Sequence, residues 1–131
     1  MQVEGATRKP LFTAAVLLAD SQLQLLEWWR AVVGPTLAVE HAHHMTIEFK
    51  PATVVGFDEG GFVELHVVGF SQDERGQAVL VEGVTSTNAR PHVTVATATG
   101  TKPFYSNELL ARGVTPIDGP ILKAVLGIAR S

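Results

Sequence analysis

His44-Met45-Thr46-Ile47 and, 48 positions further on, His92-Val93-Thr94-Val95 repeat one pattern: histidine, apolar residue, threonine, apolar residue. A period of two marks a half-buried β-strand, because successive side chains point to opposite faces. His44 and Thr46 then share one face while Met45, Ile47 and Phe49 fill the other, and His92 and Thr94 share a face while Val93 and Val95 turn to the core. If the two strands are neighbours, one surface of the sheet carries two imidazoles and two hydroxyls. Phosphodiester cleavage needs a base to activate the attacking oxygen and an acid to protonate the leaving oxygen. Two histidines that titrate near neutral pH can do both without a metal. Threonine hydroxyls can donate to the phosphoryl oxygens as charge builds on them.

The rest of the chain supplies elements around these strands. The apolar run 10–18 reads as a buried strand. Asp20 or Ser21 then offers an N-cap for a helix reaching about Val33 and stopped by Gly34-Pro35, with Leu23, Leu26, Trp29 and Val33 at helical spacing. Two strands over 62–70 and 77–84 flank the polar stretch 71–76 and read as a hairpin. Another strand covers 91–98, and Ser106 caps a short helix over 107–112 that Gly113 ends. Residues 121–129 read as a strand, since Gly119-Pro120 precedes them and Gly127 interrupts a helical pattern. The prediction is an α+β domain, its strands antiparallel, with one or two helices packed outside.

At 131 residues the chain fits one domain, residues 1–131. With no cysteine, disulfide frameworks, Cys-ligated metal centres and thiol nucleophiles are all excluded, in keeping with a reducing cytosol. The formal net charge of −3 disfavours binding to long duplex nucleic acid, which calls for a basic face. A terminal phosphate needs only a few local cations. No run approaches the roughly 20 apolar residues of a membrane helix. The opening Met1-Gln2-Val3-Glu4-Gly5 lacks the basic-then-apolar pattern of a secretory leader. A soluble, cytoplasmic protein with no membrane partner is expected. His41 and His43 fall on one strand face, short of the three protein ligands usual in catalytic zinc sites. They read as a solvated entry to the strand, and no metal or cofactor is expected. His66 reads as an ordinary sheet residue. Gly56, Gly60 and Gly61 form no phosphate-cradling fingerprint.

Paired His-x-Thr-apolar motifs on two strands of a small α+β domain resemble the 2H phosphoesterase family. That family includes the bacterial 2′-5′ RNA ligase-like proteins and the cyclic phosphodiesterase domains of plant and fungal tRNA ligases. Pro10-Leu11-Phe12 followed by an amphipathic helix is similar to the family's first lobe, and Lys102-Pro103-Phe104-Tyr105-Ser106-Asn107 is similar to a Lys-Pro…Ser-Asn stretch of the ligase-type domains. The resemblance implies antiparallel sheets around a cleft that holds both motifs, with the second lobe reduced because the motif spacing is short. It implies a metal-independent phosphodiesterase acting on a 2′,3′-cyclic phosphate of a nucleotide or RNA 3′ end, with His44, Thr46, His92 and Thr94 catalytic. The same resemblance leaves open cleavage of 2′-5′ or cyclic oligonucleotides, or a non-catalytic module that binds nucleotides or RNA ends. Lys102, Tyr105, Lys50 and Arg90 lie near the motifs in sequence and are the candidates for contact with phosphate or base; Phe104 is expected in the core.

Overall fold

In the computed structural model, which describes residues 9–130, the antiparallel ladder returns on itself. In chain order the elements are β1 (Pro10–Leu17), α1 (Ala19–Val32), β2 (Val39–Glu40), β3 (His44–Phe49), β4 (Phe62–Gln72), β5 (Gly76–Glu82), β6 (His92–Thr97), α2 (Tyr105–Arg112), β7 (Thr115–Pro116) and β8 (Ile121–Arg130). The sheet runs β6-β3-β1-β8-β4-β5, and β5 pairs with β6 again, so six strands close into a barrel. Residues 121–129 thus form a strand, β8, and it lies between β1 and β4. The Met1–Gly5 stretch read for a leader lies outside the described residues.

The alternation explains the barrel's interior. Ala15 and Leu17, Leu65 and Val67, Val79 and Val81, Val93 and Val95, and Leu122 and Ala124 enter one buried cluster as i, i+2 pairs, joined by Met45 from β3. Leu25 and Trp29 of α1 complete this cluster, Trp29 meeting Phe70 edge to face with ring centroids 5.8 Å apart. A second, smaller cluster lies under α2, where Tyr105, Leu109 and Leu110 cover Ala78 of β5. An α+β architecture with two helices on an antiparallel sheet is therefore what the chain forms. Barrel closure replaces the expected separation into sheets facing each other across a cleft.

Helix α1 departs from its expected frame. It begins at Ala19 with Leu18 at the N-cap and no side-chain cap, so neither Asp20 nor Ser21 caps it. The Ser21 hydroxyl instead accepts the Lys123 backbone N–H at 2.8 Å, which pins the first turn to β8. That contact centres the buried face on Ser21, Leu25 and Trp29. Leu23, turned by about 200° from Ser21, is 59% exposed, while Leu26 and Val33 pack at the margin of the core. Helix α2 likewise starts earlier than expected, at Tyr105, with Phe104 at its N-cap and Ser106 inside its first turn.

Two irregularities shape the edge of the barrel that carries the motifs. Between the pairs Thr13↔Glu48 and Ala14↔Thr46 the strand β3 has one extra residue, Ile47, a β-bulge. Between β2 and β3, Ala42 is fully buried in a left-handed conformation (φ 47°), strained for a residue with a Cβ. Gly83 (φ 132°) turns the chain out of β5 into the 83–91 loop, and a Cβ there would lie 2.1 Å from the Glu64 carbonyl oxygen. Gly83→Ala is expected to cost roughly 2 kcal/mol or more of stability, read as a lowered urea midpoint. An unchanged midpoint would mean the turn tolerates a side chain.

Candidate active site

The barrel closes where β3 meets β6, and a single rung, Met45↔Val93, joins the two strands. Both side chains are fully buried, so the residues beside them in sequence face the outside of the barrel. The register through this rung sets Thr46 towards His92. On its other side, the Ala42 N–H donates to the Thr94 carbonyl at 2.9 Å and the His41 N–H to the Val95 carbonyl at 2.8 Å. His43 and His44 therefore lie on an outward bend beside Thr94. The two motifs, separate in sequence, share one surface.

Beyond Met45–Val93 the two strands part, and the 83–91 loop enters the opening. The Thr87 N–H donates to the carbonyl of the bulged Ile47 at 2.9 Å, and the Ser86 hydroxyl lies 3.0 Å from the carbonyls of both Thr46 and Ile47. The bulge frees a carbonyl from the ladder, and a buried or half-buried carbonyl needs a donor; this loop supplies it. In docking there, the loop carries Thr87 and Asn88 to the site.

The result is a cleft of about 840 Å³, walled by Phe12, by Ile47 and Phe49 of β3, by Thr87 and Asn88, and by Pro103, Phe104 and Asn107 at the start of α2. That volume suits a small-molecule ligand. His41, His43, His44 and His92 all line it, with Thr46 and Thr94. Among the described residues that line it there is no Asp, Glu, Lys or Arg.

Hydrogen bonding distinguishes the two motif histidines. His92 Nδ1 lies 2.8 Å from the Arg90 carbonyl oxygen. A carbonyl only accepts, so Nδ1 carries a proton and neutral His92 presents a lone pair at Nε2. His44 Nδ1 faces another imidazole instead, His43 Nδ1 at 3.0 Å, and its ring stacks on Phe12 at 5.2 Å between centroids. Burial pushes the His44 pKa down to about 4, and the charges of His43, His92 and His41 push in the same direction. Burial also lowers His92, the Arg90 carbonyl opposing it. The threonines differ too. Thr94 Oγ1 bonds the Ser106 hydroxyl at 2.8 Å and donates to the Pro103 carbonyl at 3.2 Å, tying β6 to α2. Thr46 Oγ1 has no hydrogen-bond partner among the described residues.

The flanking residues are arranged differently from their expected roles. Tyr105 is only 5% exposed; its hydroxyl donates to Asp73 at 2.5 Å, and the Arg75 guanidinium lies 4.3 Å over its ring. It holds α2 to the β4–β5 hairpin and does not line the cleft. Phe104, expected in the core, is 71% exposed and does line it. One residue decides the exchange, because Phe104 ends the loop while Tyr105 opens the helix and faces Gly76. Lys50, Arg90 and Lys102 are exposed and lie outside the lining; Lys50 sits 5.4 Å over the Phe49 ring, and Arg90 reaches the site through its carbonyl. His41 and His43, read as solvated, line the cleft because the left-handed Ala42 breaks the alternation. Ile47 and Phe49, placed in the core by period two, line it because of the bulge. Among the described residues no group of three or more His, Asp or Glu is placed to hold a metal ion, and no helix is long and apolar enough to cross a membrane.

The cleft thus gathers His41, His43, His44 and His92 with Thr46, Thr87 and Thr94. The family described as the fungal tRNA ligase phosphodiesterase domain matches residues 38–119. The chain belongs to this family, a domain of the 2H phosphoesterase type. No curated protein matches the chain. The matched stretch contains both motifs, the 83–91 loop and α2, but stops short of β1, α1 and β8. The first-lobe likeness of residues 10–12 and the helix after them therefore lies outside it.

The depressed His44 pKa has a consequence for stability. The unfolded imidazole takes its proton near the ordinary histidine value, while the folded one does so only at about 4. In that window the unfolded state binds more protons, so this contribution is complete above it and is lost as pH falls through it. His44→Asn is expected to reduce the fall in Tm between about pH 7 and about pH 4. Parallel melting curves for parent and variant across that range would assign the acid sensitivity elsewhere.

Proposed function

We propose that the domain is a metal-independent phosphodiesterase that opens a 2′,3′-cyclic phosphate on a nucleotide or RNA 3′ end by two-histidine acid–base catalysis. Support comes chiefly from the wiring of His92, whose Nδ1–H is committed to the Arg90 carbonyl. Nε2 is then the basic nitrogen, and burial keeps it unprotonated to lower pH than an ordinary histidine. His92 removes a proton from water as the water oxygen bonds to phosphorus. The bond from phosphorus to one ribose oxygen breaks, and that oxygen takes its proton from protonated His44. The negative phosphate brings His44 its proton by opposing the burial and the neighbouring imidazole charges that hold its pKa down. The Thr46 hydroxyl, which has no hydrogen-bond partner among the described residues, donates to a phosphoryl oxygen, and Thr94, held by Ser106, faces the same group from β6.

The lining supports a small or terminal substrate. Among the described residues histidine is the only ionisable type that lines it, which gives the cleft charge for one phosphate and none for a long chain. Phe104 and Phe49, 71% and 66% exposed, offer faces for a nucleobase. The Asn88 and Asn107 amides, joined at 2.8 Å, offer hydrogen-bonding groups at the same opening. Lys50 and Lys102 are rim contacts for RNA leading to the terminal nucleotide.

Hydrolysis of the four 2′,3′-cyclic nucleotides in excess EDTA tests the chemistry. Turnover is expected to survive the chelator and to fall by about a hundredfold or more in His44→Ala and in His92→Ala. Activity lost with EDTA, or retained in either variant, overturns the mechanism. Phe104→Ala is expected to raise KM by about tenfold, whereas Tyr105→Phe lowers stability and leaves KM unchanged. The reverse pattern would return the base contact to Tyr105.

A further inference from the structure

We infer that His43 is a positioning residue for His44: its Nδ1 accepts the His44 Nδ1 proton and so aims the other proton of charged His44, on Nε2, into the cleft. The inference rests on the two-histidine reading above and adds a residue that the repeated motif does not contain.

The geometry is a 3.0 Å contact between the two Nδ1 atoms, with the rings at 84° and their centroids 5.2 Å apart. Two ring nitrogens at that distance share a single proton. When both rings are neutral, either one can be the donor. When His44 is charged, both of its nitrogens carry protons, so it must donate and His43 must be neutral and accept. If both rings were charged, two N–H groups would face each other and the contact would break. The contact therefore holds at most one added proton, and with that proton on His44 its Nδ1–H meets His43 while Nε2–H points away from His43.

His92 has no such dependence, because a backbone carbonyl accepts in every protonation state. Among the described residues His44 Nδ1 meets no carbonyl or carboxylate, only His43 Nδ1. Its other neighbours are the Phe12 ring, stacked at 5.2 Å, and the imidazoles of His92 from β6 and His41 from the segment before β3. Among the described residues no carboxylate lines the cleft, so His43 is the group in place to orient His44, as the third member of a catalytic triad orients its histidine. The left-handed backbone at Ala42 is what turns His43 to this side.

The test uses 15N-histidine-labelled protein and 2′,3′-cyclic AMP turnover. With inorganic phosphate bound, which favours charged His44, the His44 Nδ1–H is expected to give a hydrogen-bonded proton signal protected from exchange. In His43→Ala that proton is expected to exchange rapidly with water and kcat to fall by about tenfold, with KM changed by less than about twofold. His43→Asn places a non-titrating oxygen acceptor near the position of Nδ1, and is expected to restore the protected signal and most of kcat. The inference is overturned if the His44 Nδ1–H stays protected in His43→Ala, or if the Asn variant is as impaired as the Ala variant. A parent protein that does not turn over substrate sinks the proposed function instead, while the Nδ1–H signal still decides whether His43 orients His44.

Discussion

One rung of backbone pairing, Met45 with Val93, closes the barrel, and the site depends on it. Both side chains are fully buried in the interior cluster, so their flanking histidines and threonines must face outward. Were β3 and β6 paired along their full length, that outer face would be flat. They instead diverge after a single rung, and the opening is filled by Ser86 and Thr87, which satisfy carbonyls that β6 would otherwise have met. The cleft is thus a consequence of how backbone hydrogen bonds are completed at an irregular seam.

The wall opposite the seam is set by a different set of forces. Helix α2 is fixed to the β4–β5 hairpin by Tyr105, whose hydroxyl meets Asp73 and Arg112 and whose ring lies against Gly76 and Arg75. With the helix held there, buried Ser106 reaches Thr94, and Phe104 and Asn107 reach the cleft mouth. The charged groups that hold α2 to the hairpin, Asp73, Arg75 and Arg112, thus stay out of the cleft lining. A charge-poor lining offers no anion to hold a proton on the motif histidines, and burial is the largest cause that moves both below their ordinary range.

Much of this was legible from local patterns. The repeated His-x-Thr signal, the strands over 62–70 and 77–84, the strand nature of 121–129 and the α+β class all follow from a period of two and from turn residues, which act within a few positions of the chain. Local patterns fail where a long-range contact competes with them. Leu23 was placed on the buried face of α1, but Ser21, tied to Lys123 of β8, rotates the helix. Ser106 was read as a cap, but its hydroxyl belongs to Thr94. Tyr105 and Phe104 exchanged places because the start of α2 differs by two residues from the expected one.

By itself the sequence determined the candidates for the chemistry: two imidazoles and two hydroxyls on alternating strands, in a chain without cysteine and with little net charge. Alternation is a property of each strand alone, so a single sequence displays it. Only the tertiary structure decided that β3 and β6 are neighbours, that Ala42 and Ile47 break the alternation on either side of the rung, and that His41 and His43 join the cleft. Bulges and left-handed residues are held in place by partners far along the chain, and those partners exist only once the barrel has closed.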